Sequence, residues 1–415
     1  MDEVQKNLKH NFIVNMVDAI FFGMGIGISS FNTVIPLFVA TMTNSATLIG
    51  LIPAIHNTGW QFPQLFTAHR ITRMPRFKPF VILMTIQERI PFLGLAVVAL
   101  LSPKIGPTAS LVLTYILLIW QGMGAGMTAN AWQNMVSRII PSHVLATFFG
   151  LQTGASNLLS SVGAVIAGFL LAKMQSPGSY ALCFVITFGL MAASYASLSL
   201  TREHKKPDLT VDNSHADFWR NVITIMKKDE PFRWFIISRN AFQFGMMAQA
   251  FFIIYAIKVL KMNLEAAGIL TGLLFFTQVL ANPILGWIAD KWNSSNVIKG
   301  GAASIGLASL LAYWAPDPSW FYLVIILSGT ASTAFWTIGI AKSLEFGTEE
   351  EKPTYVGLSN TLIAPSTILA PLLGGWLADV SGYSTTFLTA AMFATLGVVI
   401  MQIFVKDRGK KALQA

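Results

Sequence analysis

Residues 281–295 read "ANPILGWIADKWNSS". An apolar run reaches Ala289 and then meets Asp290 and Lys291 at once, followed by Asn293 and Ser294. A bilayer core about 30 Å thick is spanned by roughly 20 mostly apolar residues, so an abrupt edge of this kind marks where a rod leaves lipid. The pattern repeats outward in both directions. Apolar stretches lie near 12–40, 44–68, 79–101, 107–136, 146–172 and 178–200, and again near 233–258, 264–289, 296–314, 319–343, 354–379 and 384–405. Of the 415 residues, 54% are hydrophobic and 11% charged, where a soluble domain carries about a quarter charged. An unpaired amide finds no water in hydrocarbon, so spans of this length have to be helices. The expectation is an all-α polytopic membrane protein with twelve transmembrane helices.

A net charge of +9 would suit nucleic acid, but its placement assigns it otherwise. With the loops taken alternately to two sides, one side holds only Lys104, Lys173, Lys258 and Lys261. Arg89 and Arg239 fall inside spans, and the rest of the 28 Lys and Arg collect on the other side. The positive-inside rule makes that basic side cytoplasmic, with both termini on it and the chain in the cell membrane. The basic surplus then meets anionic lipid, and no nucleic-acid partner is expected. The start "MDEVQKNLKHNF" is polar, and the apolar run behind it is too long for a signal peptide and lacks a small-residue cleavage site, so the first helix is expected to be retained. A single cysteine, Cys183, offers neither an internal disulfide nor a cysteine metal cluster. The glycines of "GMGIG" at 23–27 follow no strand and sit in an apolar span, which points to helix packing rather than phosphate binding. The chain has no phosphate loop and no His-Glu-x-x-His pair. No cofactor, metal or catalytic residue is expected, and work has to come from an ion gradient or from a solute's own gradient. A membrane enzyme would show His, Asp or Glu clustered at helix ends, which this chain lacks.

The longest polar connection divides the chain into 1–200, a linker at 201–232, and 233–415. Within the linker Phe218, Trp219, Val222, Ile223 and Met226 share one helical face, the pattern of a helix lying in the membrane interface. Three stretches match across it in the same order. "DAIFFGMG" from Asp18 pairs with "NAFQFGMM" from Asn240, and "PQLFTAHR" from Pro63 with "PILGWIAD" from Pro283. "FFGL" from Phe148, followed by "AGFLLA", pairs with "YVGL" from Tyr355, followed by "GGWLAD". Duplication is the reading: two pseudo-symmetric six-helix bundles.

"GWIADKWNSS" from Gly286 resembles the signature of the major facilitator superfamily between the second and third helices of each half, Gly-x-Leu-Ala-Asp-Arg/Lys-x-Gly-Arg/Lys-Arg/Lys. "GGWLADVSGY" from Gly374 resembles that family's end of helix eleven. Gly286, Asp290 and Lys291 form the conformational motif: Gly286 for close helix approach, Asp290 facing a helix N-terminus or a cation, and Lys291 anchoring the helix end. In the first half the corresponding stretch places Arg70 where the family has its acid, and Leu145 stands where the family often has an Arg. Both departures touch the latch of that half.

The resemblance implies two bundles rocking about a substrate site near the bilayer midplane, lined by the first, fourth, seventh and tenth helices. A monomer moving a small-molecule substrate is the expectation, by alternating access and with H+ coupling as an option. Efflux of drug-like or metabolic compounds is favoured over a uniporter, over an uptake carrier for a sugar or organic anion, and over a non-transporting sensor or lipid-handling protein. Asp18, Glu88 and Arg89 are the proton-coupling candidates, because intramembrane charges must pair or reach water. Asp18 alternatively acts as a cap or ion pair near the helix end, and one of Glu88 and Arg89 is expected to meet it. Trp120, Gln121, Arg239, Asn240, Gln243 and Trp336 are the substrate-binding candidates. Arg239 and Gln243 share a face at i, i+4, although the Arg239 stem could instead snorkel to the surface. Ser328, Thr330 and Thr333 on the tenth helix, and His56 and Asn57 on the second, complete the polar groups.

Overall fold

A computed structural model describes residues 3–72, 74–204, 225–346 and 352–405. Among the described residues the regular structure is helical. The elements are α1 (Glu3–Ile28), α2 (Val34–Val39), α3 (Ala46–Thr72), α4 (Lys78–Ile139), α5 (Ser142–Lys173) and α6 (Gly178–Ser199). They continue with α7 (Glu230–Gly245), α8 (Gln249–Lys258), α9 (Leu264–Lys291), α10 (Ser294–Trp314), α11 (Trp320–Thr333), α12 (Gly339–Ser343), α13 (Lys352–Ser381) and α14 (Tyr383–Phe404). Ten helices among the described residues are long and apolar enough to cross a membrane. The interfacial helix read around Phe218 and Trp219 lies outside the described residues.

The expected spans and these elements differ at four places, each with a local cause. The first expected span breaks after Ile28, where the Ser30 hydroxyl accepts from the Asn32 amide at 3.2 Å and the Ser30 carbonyl takes the Thr33 and Ile35 amides. Short polar side chains compete in this way with the helical ladder. The third and fourth spans form one 62-residue element, α4, turned at Gly106 with φ 80° and ψ 168°. That left-handed φ suits glycine, and Pro107 restarts the helix where its missing N–H costs nothing. Between α7 and α8 a 3₁₀ turn occupies Met246–Ala248, and between α11 and α12 a π turn occupies Ala334–Ile338.

The described chain separates into two compact units. The first holds the residues up to 204 together with Ile253–Val279, and the second holds 225–252 and 280–405. In the first unit α1 packs on α5 and α6, and α4 packs on α3 and α6; in the second, α7 packs on α13 and α14, and α10 on α14. The partners of α1 and α7 correspond, as the duplicated stretches require.

Each unit closes the basic end of its helices with a carboxylate. In the first, Glu203 accepts from the Phe77 and Lys78 amides at the start of α4, at 2.9 and 2.7 Å. It also meets Arg138 at 3.2 Å, whose guanidinium lies 3.9 Å from the Phe77 ring centre. In the second, Glu345 accepts from Ser294 at the start of α10 at 2.5 Å and from Lys342 at 2.7 Å. A carboxylate at a helix N-terminus satisfies orphan amides and faces the positive end of the helix dipole.

Within the first unit α5 and α9 touch backbone to backbone. A Cβ added to Gly168 would stand 2.7 Å from the Gly268 Cα, and one added to Gly268 would stand 2.5 Å from the Gly168 Cα. Only glycine fits on either side.

Candidate functional site

Helix α4 is apolar on its outer face and polar within. Leu83, Ile90, Leu93, Val97 and Leu100 are exposed, whereas Thr85, Glu88, Arg89 and Phe92 are buried. In water this arrangement would be inverted; with lipid outside, the polar face turns to the bundle interior. There an open cavity of about 270 Å³ is lined by residues of α1, α3, α4, α5 and α6.

The charged groups lining it are Asp18, Glu88 and Arg89, each less than a tenth exposed. Asp18 lies about four turns into α1, because the helix begins at Glu3; a cap near the helix end is therefore excluded. Arg89 uses its donors on several partners. Its Nε donates to the Met191 carbonyl at 3.0 Å, one terminal nitrogen to the Thr85 carbonyl at 3.3 Å, and the other to Ser194 Oγ at 2.7 Å and Asp18 at 3.4 Å. Ser194 in turn donates to Asp18 at 2.5 Å. Asp18, Arg89 and Ser194 thus tie α1, α4 and α6 together. Glu88 stands apart: it approaches Arg89 at 3.8 Å, and its carboxylate makes no hydrogen bond among the described residues.

The remaining wall is formed by aromatic and amide groups that the sequence reading did not select, chiefly Phe22, Trp60, Trp132, Gln133, Gln152 and Asn157. A signal for the α5 members was present. Gln152, Ser156 and Ser160 recur at i, i+4 and i+8, a polar stripe on an otherwise apolar helix. Ser194, the bridge between Asp18 and Arg89, sits in a run of small residues with nothing to distinguish it.

The other candidates lie elsewhere. Trp120 is exposed, does not line the cavity, and donates to Gln87 at 2.9 Å. Gln121 is buried on α4 within reach of His56, whose ring stacks on Phe31 at 3.9 Å. Arg239 is 1% exposed, so it does not snorkel. It donates to Ser359 Oγ at 2.5 Å and to the Phe335 carbonyl at 3.0 Å, lies 4.8 Å from the Phe335 ring, and meets no carboxylate among the described residues. Asn240 donates to the Ile236 carbonyl at 2.8 Å and accepts from Ser366, while Gln243 is buried. Trp336 packs edge-on against Phe335 within the π turn. Thr330 and Thr333 bond carbonyls of their own helix, whereas Ser328 Oγ is buried without a partner.

The conformational motif needs one correction of reason. A Cβ at Gly286 would meet nothing within 4 Å among the described residues, so close helix approach does not explain that glycine. Asp290 and Lys291 are exposed, and the Lys291 ammonium lies 4.9 Å from the Trp287 ring. The Arg70 side chain lies outside the described residues.

A family model described as Major Facilitator Superfamily matches residues 19–264 and 239–414, nearly the whole chain. The chain belongs to the Major Facilitator Superfamily. That family is one of membrane transporters rather than an enzyme class, and ten helices among the described residues are long and apolar enough to cross a membrane. Among relatives, the multi-drug resistance efflux pump PmrA of Streptococcus pneumoniae serotype 4 is 25% identical over 142 residues, 34% of this chain and 35% of the pump. The probable anion transporter 4, chloroplastic, of Oryza sativa subsp. japonica is 22% identical over 337 residues, 76% of this chain and 55% of that protein. This chain thus spans about a third of the pump's length and about half of the plant protein's. A solved bacterial homologue of the iron transporter ferroportin, in an inward-facing state, superposes with a TM-score of 0.75 over 96% of this chain and 100% of that one, at 12% identity. That likeness concerns the superfamily fold alone.

Proposed function

We propose that this member of the superfamily is a secondary active transporter of a small organic solute, working by alternating access and coupled to H+. The observation that carries this reading is the cluster of Asp18, Glu88 and Arg89 on a cavity lined by membrane-length helices. Placing such charges in a bilayer costs about 2.5–3.5 kcal/mol each at a helix centre, and packing alone would be served by apolar residues. Glu88 is the group with capacity left for a proton or solute, since Asp18 is engaged by Arg89 and Ser194. The chain operates as a monomer in the cell membrane with both termini cytoplasmic, arranged as 1–200, a linker at 201–232, and 233–415. The charge asymmetry of its loops supports that orientation. Asp290 and Lys291 act in conformational change, and efflux is the favoured direction, supported by the alignment with a pump named for drug efflux.

A second reading, uptake of an organic anion, draws on Arg239, a buried cation without a carboxylate, and on the plant relative named as an anion transporter. Arg239 is enclosed by Phe235, Phe335 and Ser359, which favours the first reading. The test is purified protein in liposomes with an imposed pH gradient and a pool of metabolites and dyes. Solute movement that follows the gradient and collapses with a protonophore is expected. Flux indifferent to the gradient removes the coupling, and no flux of any solute removes the transporter in favour of a sensor.

A further inference from the structure

Charge counting in the cavity names a substrate class, an inference that rests on the transport reading above. Among the described residues, two carboxylates and one guanidinium are the charged groups that line the cavity. Arg89 is committed to Asp18, both directly at 3.4 Å and through Ser194. The surplus charge therefore resides on Glu88, 3.8 Å from Arg89 and without a hydrogen bond among the described residues. A carboxylate held in this way is neutral when protonated and, when ionised, is balanced by a positive partner. A second polar group on the same wall is also unfilled: Thr85, fully buried, has an Oγ1 with no hydrogen-bond partner among the described residues. Thr85 lies one turn before Glu88 on α4, which brings the two onto one face. Phe22 and Trp132 supply aromatic surface on the same cavity, and aromatic faces attract cations as well as apolar bodies.

We propose that Glu88 receives the positively charged nitrogen of an amphipathic organic cation, whose apolar body lies against Phe22 and Trp132. A cavity of about 270 Å³ stands at the small end of ligand sites, so the class is a compact aryl-alkyl ammonium rather than a large dye. Of a cation, a neutral sugar and an organic anion, only the cation balances ionised Glu88 in the proton's place.

The test uses the full-length protein in detergent and three probes of one shape: phenethyltrimethylammonium, its neutral carbon isostere 3,3-dimethyl-1-phenylbutane, and 4-phenylbutyrate. Titration calorimetry should place the ammonium at least about tenfold tighter than the isostere, with the carboxylate not bound. Glu88→Gln should abolish that preference while leaving the isostere's affinity unchanged, and Glu88→Asp should retain part of it. Equal affinity of the parent protein for ammonium and isostere overturns the proposal, and this comparison holds even where Glu88→Gln does not fold. An unchanged preference in a folded Glu88→Gln protein overturns it as well. In liposomes, flux of other solutes with no binding of the ammonium overturns this substrate class but spares the transport reading, whereas no flux of any kind overturns both.

Discussion

Arg89 and Arg239 are both buried arginines in apolar bundles, yet they are held by opposite means. Arg89 has Asp18 and Ser194 within hydrogen-bonding distance, whereas Arg239 has a hydroxyl, a carbonyl and two aromatic rings. Breaking a buried pair by removing one partner costs about 3–5 kcal/mol, because the other charge is stranded. Arg89→Met is thus expected to lower the thermal unfolding midpoint in detergent sharply, and adding Asp18→Asn should recover part of the loss. An Arg89→Met protein that melts with its parent would show that the pair contributes nothing. The sign reverses at Arg239, where no carboxylate is left behind. Arg239→Met should leave the midpoint unchanged or raise it, since apolar replacement of buried charge is often neutral or stabilising. A clear drop there would mean that Ser359, the Phe335 carbonyl and the rings more than offset the desolvation of the guanidinium. Intramembrane charges draw the eye in a sequence, so Asp18, Glu88 and Arg89 were legible. Which of the two carboxylates Arg89 prefers was not, because that depends on Ser194, 105 residues further along and of a residue type that usually only glues helices.

At the scale of the helix, Glu203 shows how a residue beyond the end of one element governs the start of another. It accepts from two amides at the start of α4 and pairs with Arg138 near the end of the same element. Glu203→Ala is expected to cost about 2 kcal/mol and to speed amide exchange in the first turn of α4 more than elsewhere; uniform exchange would leave the cap without a role. Apart from the first, the spans were readable to within a few residues because lipid demands length and apolarity, and both are written directly in the chain. Their interruptions were less so. Ser29, Ser30, Asn32 and Thr33 offered a local cue for the break after Ile28, but the 3₁₀ turn at Met246–Ala248 and the π turn at Ala334–Ile338 carry no proline and only ordinary helix formers. Tertiary packing decides those. The wall of the cavity was missed for a related reason: attention to the helices that line the family's central opening passed over the Gln152, Ser156 and Ser160 stripe of α5, which helical periodicity alone would have revealed.

For the whole molecule, lipid as solvent accounts for a chain with 54% hydrophobic residues and for large apolar side chains such as Leu100, Ile116 and Met392 standing exposed. It also changes what holds helices to one another. Where no water is expelled, association rests on close contact and internal hydrogen bonds, which is why the Gly168–Gly268 approach matters. Gly268→Val sets a branched side chain against the Gly168 backbone, which cannot yield. The expected result is a longer spin-label distance between Lys173 and Val259 in double electron–electron resonance, with the helices still folded; an unaltered distance would mean that α9 shifts along its axis instead. Two bare backbones in contact resist compression far more than separation. Pressing them closer meets hard-core repulsion at once, while drawing them apart forfeits only weak dispersion and obliges no side chain to find a new rotamer. The joint between α5 and α9 is therefore stiff against compression and yields to parting or to sliding.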